Sequence, residues 1–213
     1  MRIFFVSKGN EFKIVNYSID KPDEVYVGLF GYNKGVIQNL GVEGFAIDFD
    51  TDKTSGYYVG GSVASNEGII KESYAIGIIN AAPSSKNENY FLGGLVGNNN
   101  GSILNSYATV NINENRISTD FFLIAGGLIG LTIKSTIENS YATGDVSAIS
   151  QLKSSANAGG IVGYNQTWTI INCFIYTEQV ITRMEESDTY KTASNTYGHF
   201  YSIKNDTVKR IFN

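Results

Sequence analysis

Proline, cysteine and histidine are nearly missing from this 213-residue chain, which holds two prolines, the single Cys173 and the single His199. One cysteine cannot close an internal disulfide, so no disulfide framework is available and redox chemistry leaves the cell compartment open. A zinc peptidase of the HExxH kind needs two histidines, and a serine triad needs one beside its nucleophile. His199 stands in Tyr197-Gly-His-Phe200 with no such motif around it, which excludes metalloprotease chemistry and leaves a structural or solvent-exposed role. Charge is scarce too, at 17% of residues, and the net charge of −4 comes with lysines and arginines scattered singly. Without a basic stripe to neutralise phosphates, nucleic acid is excluded as a partner. Long apolar runs are also missing. Met1-Arg-Ile-Phe-Phe-Val6 is too short for a secretory core, and nothing approaches the roughly 18 to 20 apolar residues of a membrane helix. No membrane insertion is expected. The chain carries no signal peptide and reads as an internal segment, or as one whose export segment lies upstream.

What the chain has instead is glycine, 23 residues, with 14 tyrosines and 12 phenylalanines, the composition of an ordered β-rich protein. The glycine is periodic: Gly28, Gly61, Gly94, Gly127 and Gly160 follow one another at 33 residues, and a fixed period of this length marks a repeat architecture. Around them stand Val27-Gly-Leu-Phe-Gly31, Gly60-Gly-Ser-Val-Ala64, Gly93-Gly-Leu-Val-Gly97, Gly126-Gly-Leu-Ile-Gly130 and Gly159-Gly-Ile-Val-Gly163. A second block follows each time, as Ile37-Gln-Asn39, Ile70-Lys-Glu72, Ile103-Leu-Asn105, Ile137-Glu-Asn139 and Ile170-Ile-Asn172. It leads into Ser73-Tyr-Ala75, Ser106-Tyr-Ala108, Ser140-Tyr-Ala142 and the variant Cys173-Phe-Ile175. Between the blocks, Asn33-Lys-Gly35, Asn66-Glu-Gly68 and Asn99-Asn-Gly101 supply residues that accept positive φ and let the chain bend. Copies four and five carry one extra residue in this turn.

Short runs rich in Ile, Val and Tyr and bounded by Gly and Asn read as strands. The variable stretches, such as Phe45 to Tyr58 and Ala81 to Leu92, read as loops or a less regular third side. One such unit cannot bury its apolar face alone, but stacked units share an interior, each strand bonding its equivalent about 4.8 Å further along. The expected fold is all-β: a parallel β-solenoid, or β-helix, of about five 33-residue coils with atypical terminal segments. Residues 1–25 are expected as a partial repeat or cap, 26–176 as the repeats and 177–213 as a cap or incomplete coil. Lys13-Ile-Val-Asn16 is taken as the second block of a truncated copy, with Asn16 matching Asn39. Alternation places Ser106, Ala108, Val110 and Ile112 on the interior face, matched by Ser140, Ala142, Gly144 and Val146. By the same parity Tyr74, Tyr107, Tyr141 and Phe174 form an aromatic row on the opposite face, with Gly41 in the first copy. Asn39, Asn105, Asn139 and Asn172, with Glu72 as the exception, are expected where the chain turns, as a stacked amide ladder.

The string Gly93-Gly-Leu-Val-Gly97, with Asn-Asn-Asn-Gly101 and Ile103-Leu-Asn-Ser-Tyr-Ala-Thr109, resembles the GLUG motif repeat, in five copies from about Tyr26 to Tyr176. Copy two departs at Ser62 and Ala64. The resemblance implies a secreted or cell-surface setting in bacteria, as in filamentous adhesins and the non-catalytic parts of immunoglobulin A-specific metallopeptidases. It implies no catalytic residue, because the motif has none to carry over.

The remaining chemistry is sparse. Asp48, Asp50 and Asp52 alternate as in a calcium loop, but Lys53 stands where an EF-hand needs Gly and Val59 where it needs Glu, so no metal and no cofactor are expected. Glu72, Glu138 and Asp145 are the acids a polysaccharide-cleaving β-helix enzyme would have to bring together across coils, and they do not stand out from surface charge. The expectation is a non-enzymatic structural or adhesive segment, a monomer or one that associates end to end, whose partner is a host or matrix protein or a glycan. The alternative is a carbohydrate-binding module using Tyr74, Tyr107, Tyr141 and Phe174. If that row is the site, Tyr107→Ala with Tyr141→Ala abolishes binding on a glycan and matrix screen; a hit that survives the double substitution places the site elsewhere.

Overall fold

The computed structural model describes residues 4–8, 11–20, 24–49, 56–81, 89–116, 122–150, 156–166, 169–176, 180–184 and 191–192. Every regular element among them is a β-strand. The chain winds into a parallel β-solenoid whose coil has four walls. The first wall stacks Tyr26–Val27, Tyr57–Gly60, Tyr90–Gly93, Leu123–Gly126 and Ala156–Gly159; the second stacks Phe30–Asn33, Val63–Asn66, Val96–Asn99, Ile129–Thr132 and Val162–Asn165. The third stacks Val36–Gln38, Ile69–Lys71, Ser102–Leu104, Thr136–Glu138 and Thr169–Ile171. The long fourth wall holds Leu40–Phe49, Tyr74–Ala81, Tyr107–Arg116, then Tyr141–Thr143 with Val146–Ser150, and Phe174–Tyr176 with Val180–Met184. Five strands in each of the first three walls make about four turns, close to the expected five coils.

Register follows the repeat. Tyr74 lies opposite Tyr107, Ile70 opposite Ile103 and Leu92 opposite Ala125, each residue beside its counterpart in the next coil. The interior row of the long wall is as expected, with Ser106, Ala108, Val110, Ile112, Ser140, Ala142 and Val146 buried. Gly144 alone of that row is partly exposed, at φ +103°.

Three expectations need narrowing or correction. Where they are described, the variable stretches form a side of the coil, as one of the two alternatives had it, and not loops: Phe45, Ile47, Tyr57 and Tyr90 sit in strands and are almost wholly buried, while residues 50–55 and 82–88 lie outside the described residues. Their apolar residues alternate at period two within sequence that otherwise drifts, so the interior is supplied where no text repeats. The Asn-x-Gly turns do not use positive φ at Asn33, Asn66, Asn99, Gly35, Gly68 or Gly101. Asn33 and Asn66 hold their own turns, Oδ1 accepting from the glycine N–H two residues on (3.1 Å to Gly35, 3.2 Å to Gly68), and Asn99 Nδ2 donates to the Gly101 carbonyl at 3.3 Å. Glycine is needed there for closeness, since a Cβ on Gly68 or Gly101 would run into the carbonyl oxygen of Gly35 or Gly68 in the neighbouring coil. The extra residue of copy four does take positive φ, at Lys134 (55°). Finally, Asn16 does not match Asn39. Glu11–Val15 joins the long wall with Phe12 opposite Leu40 and Val15 opposite Glu43, so Asn16 falls level with Gly44, and both have positive φ.

The 33-residue glycines work by close approach as well. The chain bends at Gly61-Ser62 and Gly94-Leu95 between the first and second walls, and a Cβ on Gly94 would lie 3.0 Å from that of Ala108 on the long wall. Gly97 lets the second wall pack backbone to backbone on the first: a Cβ there would stand 2.7 Å from Val59 N and 2.9 Å from Val59 O. Leu95 and Val96 are both buried, and the core cluster draws on all four walls.

At the corner between the second and third walls the buried asparagines join into a ladder. Asn33 Nδ2 donates to Asn66 Oδ1 and Asn66 Nδ2 to Asn99 Oδ1, both at 2.7 Å. In the fourth coil Thr132 takes the position, its Oγ1 donating to the Asn99 carbonyl at 3.1 Å. At the two ends of the long wall an antiparallel strand is added, Phe4–Lys8 on Glu11–Val15 and Lys191–Thr192 on Val180–Met184.

Asn66→Ala strips partners from the Asn33 side-chain amide, Asn99 Oδ1 and the Gly68 N–H, and is expected to cost about 2–3 kcal/mol in urea unfolding. Asn139→Gly, in the exposed turn row, keeps a left-handed backbone and is expected to cost under about 1 kcal/mol. Equal midpoint shifts would show that the buried ladder holds nothing the exposed one does not.

Candidate functional site

The site grows out of the corner where the third wall enters the long wall. Asn39, Glu72, Asn105, Asn139 and Asn172 all take left-handed backbone there, with φ between 48 and 55°, which redirects the chain within one residue. Asparagine tolerates this conformation better than other side chains bearing a Cβ. The expected amide ladder forms in the later coils: Asn172 Nδ2 donates to Asn139 Oδ1 at 3.1 Å, and Asn139 Nδ2 to Asn105 Oδ1 at 3.2 Å.

Next in sequence comes a buried serine row. Ser73, Ser106 and Ser140 donate Oγ–H to the carbonyl two residues back, at 2.8 to 2.9 Å, and accept the N–H of the previous coil at 3.2 Å. Cys173 fills the same position, its Sγ donating to the Ile171 carbonyl at 3.3 Å. Burial pushes its thiol up to about 11, so it stays protonated and unreactive at neutral pH. The alignment of Cys173-Phe-Ile with Ser-Tyr-Ala was a visible signal for this role.

One residue on stands the aromatic row. Tyr74, Tyr107, Tyr141 and Phe174 stack with centroids 4.8, 4.7 and 5.0 Å apart and ring planes within 8° of parallel. Each ring face inside the row is taken by the next ring, so a ligand alongside meets edges and hydroxyls. The tyrosines are half-buried and Phe174 is exposed. Burial pushes the Tyr74 and Tyr107 hydroxyls upward. A second outward stack, Tyr26–Tyr58–Phe91, went unseen in the sequence, although Tyr57-Tyr58 and Tyr90-Phe91 stand one period apart.

Both outer rows break at the same place. In the aromatic row Gly41 takes the first-coil position and Lys13 the one before it. The Tyr74 ring leans over Gly41, where a Cβ would lie 2.5 Å from Cζ, and its hydroxyl donates to Glu43 Oε1 at 2.5 Å. Lys13 Nζ donates to the same oxygen at 2.8 Å and stands 5.9 Å from the Tyr74 ring centre. The Lys13 and Tyr74 bonds hold the Glu43 carboxyl below its usual range, and Glu43 in turn holds the Lys13 ammonium above its own. In the turn row Glu72 replaces asparagine, its carboxylate accepting from Gln38 Nε2 at 2.8 Å. Between the two breaks lies a groove of about 310 Å3 lined by Phe12, Lys13, Asn39, Gly41, Glu72, Ser73, Tyr74, Asn105 and Tyr107.

Of the other residues singled out, Tyr141, Phe174, Glu138 and Asp145 do not line this groove. Asp48 lies on the exposed outer face of the long wall and accepts from Asn80 Nδ2 at 2.9 Å, beneath a further Asn113-to-Asn80 bond. Asp50, Asp52 and His199 lie outside the described residues. No group of three metal-ligating side chains occurs among the described residues.

The family model described as the GLUG motif matches residues 89–113 and 124–147, which trace the third and fourth coils. No curated protein and no solved structure matches the chain.

The Glu43 carboxyl titrates lower in the folded chain than in the unfolded one, so its contribution is full above the ordinary carboxylate range and is lost as pH falls through the lowered value. Urea unfolding followed from neutral pH into acid should therefore lose more stability in the parent than in Glu43→Gln, by under about 1 kcal/mol because the pair is partly exposed. Parallel pH profiles would show the Lys13–Glu43–Tyr74 contact to be energetically silent.

Proposed function

From a chain that carries the GLUG motif, we propose a rigid structural segment of a bacterial cell-surface or secreted protein, serving as a spacer or attachment shaft. The observation that carries this reading is the coil-to-coil ladder. Backbone pairing links each coil to the next along one axis, and buried amides, serine hydroxyls and stacked rings add side-chain links between neighbouring coils. Such an array lengthens by adding units without redesigning its interior, since each unit meets only its neighbours. The acids an enzyme would have needed favour this reading too, because Glu138 and Asp145 do not join Glu72 at the groove.

In-register duplication of residues 94–126 tests the spacer. The lengthened chain is expected to fold, to unfold cooperatively at no lower midpoint, and to show a larger radius of gyration in small-angle scattering. Aggregation or a split transition would count against a modular shaft, and release of reducing ends from a polysaccharide panel would replace it with the enzymatic reading.

A further inference from the structure

We infer that the groove at the start of the long wall is a binding site for a short neutral glycan, held by Phe12, Glu72, Asn39 and Asn105. The inference stands apart from the spacer reading, since a shaft functions with or without it.

The groove exists because the repeat is broken in two rows at once. Where a regular coil would put an aromatic ring there is Gly41, and where three other coils and the first put asparagine there is Glu72. Glu72 keeps a left-handed backbone at φ 50°, a conformation that suits glycine, asparagine and aspartate far better than glutamate. It also ends the amide ladder at Asn105. An unfavourable residue held in a strained conformation beside a cavity is a mark of selection for something other than the fold.

The lining selects the ligand. Phe12 is 57% exposed and lines the groove, and unlike the ladder rings it stacks on no other ring in the described rows. The exposed part of the ring offers apolar surface to the apolar face of a sugar. Asn39, Glu72 and Asn105 come from successive coils, about 4.8 Å apart, a step comparable with one pyranose unit, and offer a carboxylate and amides to hydroxyl groups. Backbone groups are already committed: Phe12 N–H bonds the Asn39 carbonyl, Asn39 N–H that of Lys71, Glu72 N–H that of Leu104 and Asn105 N–H that of Glu138. An extended peptide finds no strand edge to pair with here. Lys13 is engaged by Glu43 at 2.8 Å, so the open charge left in the groove is the Glu72 carboxylate, which repels anionic sugars. The volume lies at the low end of the roughly 300–1,000 Å3 of small-molecule sites, which suits one or two sugar rings.

The test is titration of the purified full chain with cellobiose, lactose and N,N′-diacetylchitobiose, with a heparin-derived disaccharide as contrast, followed by calorimetry and NMR. At least one neutral disaccharide is expected to bind saturably, and Phe12→Ala and Glu72→Asn each to weaken it by about tenfold or more. Glu72→Asn restores the residue of the other coils, so its melting temperature should be unchanged or higher, which separates lost binding from lost folding. Tyr141→Ala, outside the groove, should leave affinity within about twofold. Absence of saturable binding to all three neutral sugars, preference for the charged one, or affinity untouched by Glu72→Asn would each overturn the assignment.

Discussion

Parallel stacking at one strand spacing is the constraint on which the rest of this molecule depends. Once each coil hydrogen-bonds its equivalent in the next, every side chain meets the residue one repeat away at the distance the backbone sets. Residues that tolerate their own kind are then favoured. An amide is both donor and acceptor, so asparagines chain through 2.7 Å bonds even when buried; a serine hydroxyl likewise donates to one group and accepts from another. Tyrosine rings stack at 4.7–4.8 Å because that is the strand spacing. Opposite charges can pair from coil to coil, as Lys34 faces Glu67 at 3.8 Å, while the like charges Asp20 and Asp48 meet at the edge of the long wall.

Glycine meets a second demand of the same geometry. The first and second walls come nearly into backbone contact, and the positions of Gly93 and Gly97 leave no room for a Cβ. The periodic glycines are thus a packing requirement more than a conformational one. The positive φ that glycine could have provided is supplied by asparagine at the other corner.

A fold built from repeated rows shows its individuality where rows fail. The later coils are nearly interchangeable, and the GLUG motif matches fall on two of them. The first coils are not: Lys13, Gly41 and Glu72 each interrupt a row, and their interruptions adjoin. The one groove described here belongs to that end, while the aromatic ladder, the feature most visible in the text, has its ring faces turned to itself.

The 33-residue period, the parallel stacking, the interior parity of Ser106 to Ile112 and the turn role of the asparagine row could all be read from the sequence, because each depends only on local pattern repeated in register. The first wall could not. Tyr57 and Tyr90 lie in stretches whose text drifts, and burial requires only that something apolar recur at the right parity. The use of Gly68 and Gly101 also stayed hidden, since a glycine kept for closeness and one kept for φ look alike in one dimension. So did the place of Asn16, which depends on where the first strand enters the long wall. The groove is the furthest from sequence: Glu72 and Asn105 lie two and three coils beyond Phe12, and only the winding lines them up along one face. In the repeating blocks the sequence by itself determined which residues stack on which and which parity of the long wall is interior, since both are properties of the repeated text; the tertiary structure alone decided what fills the first wall, how closely the walls approach and where two broken rows meet, since those depend on the angles at which the chain turns its corners.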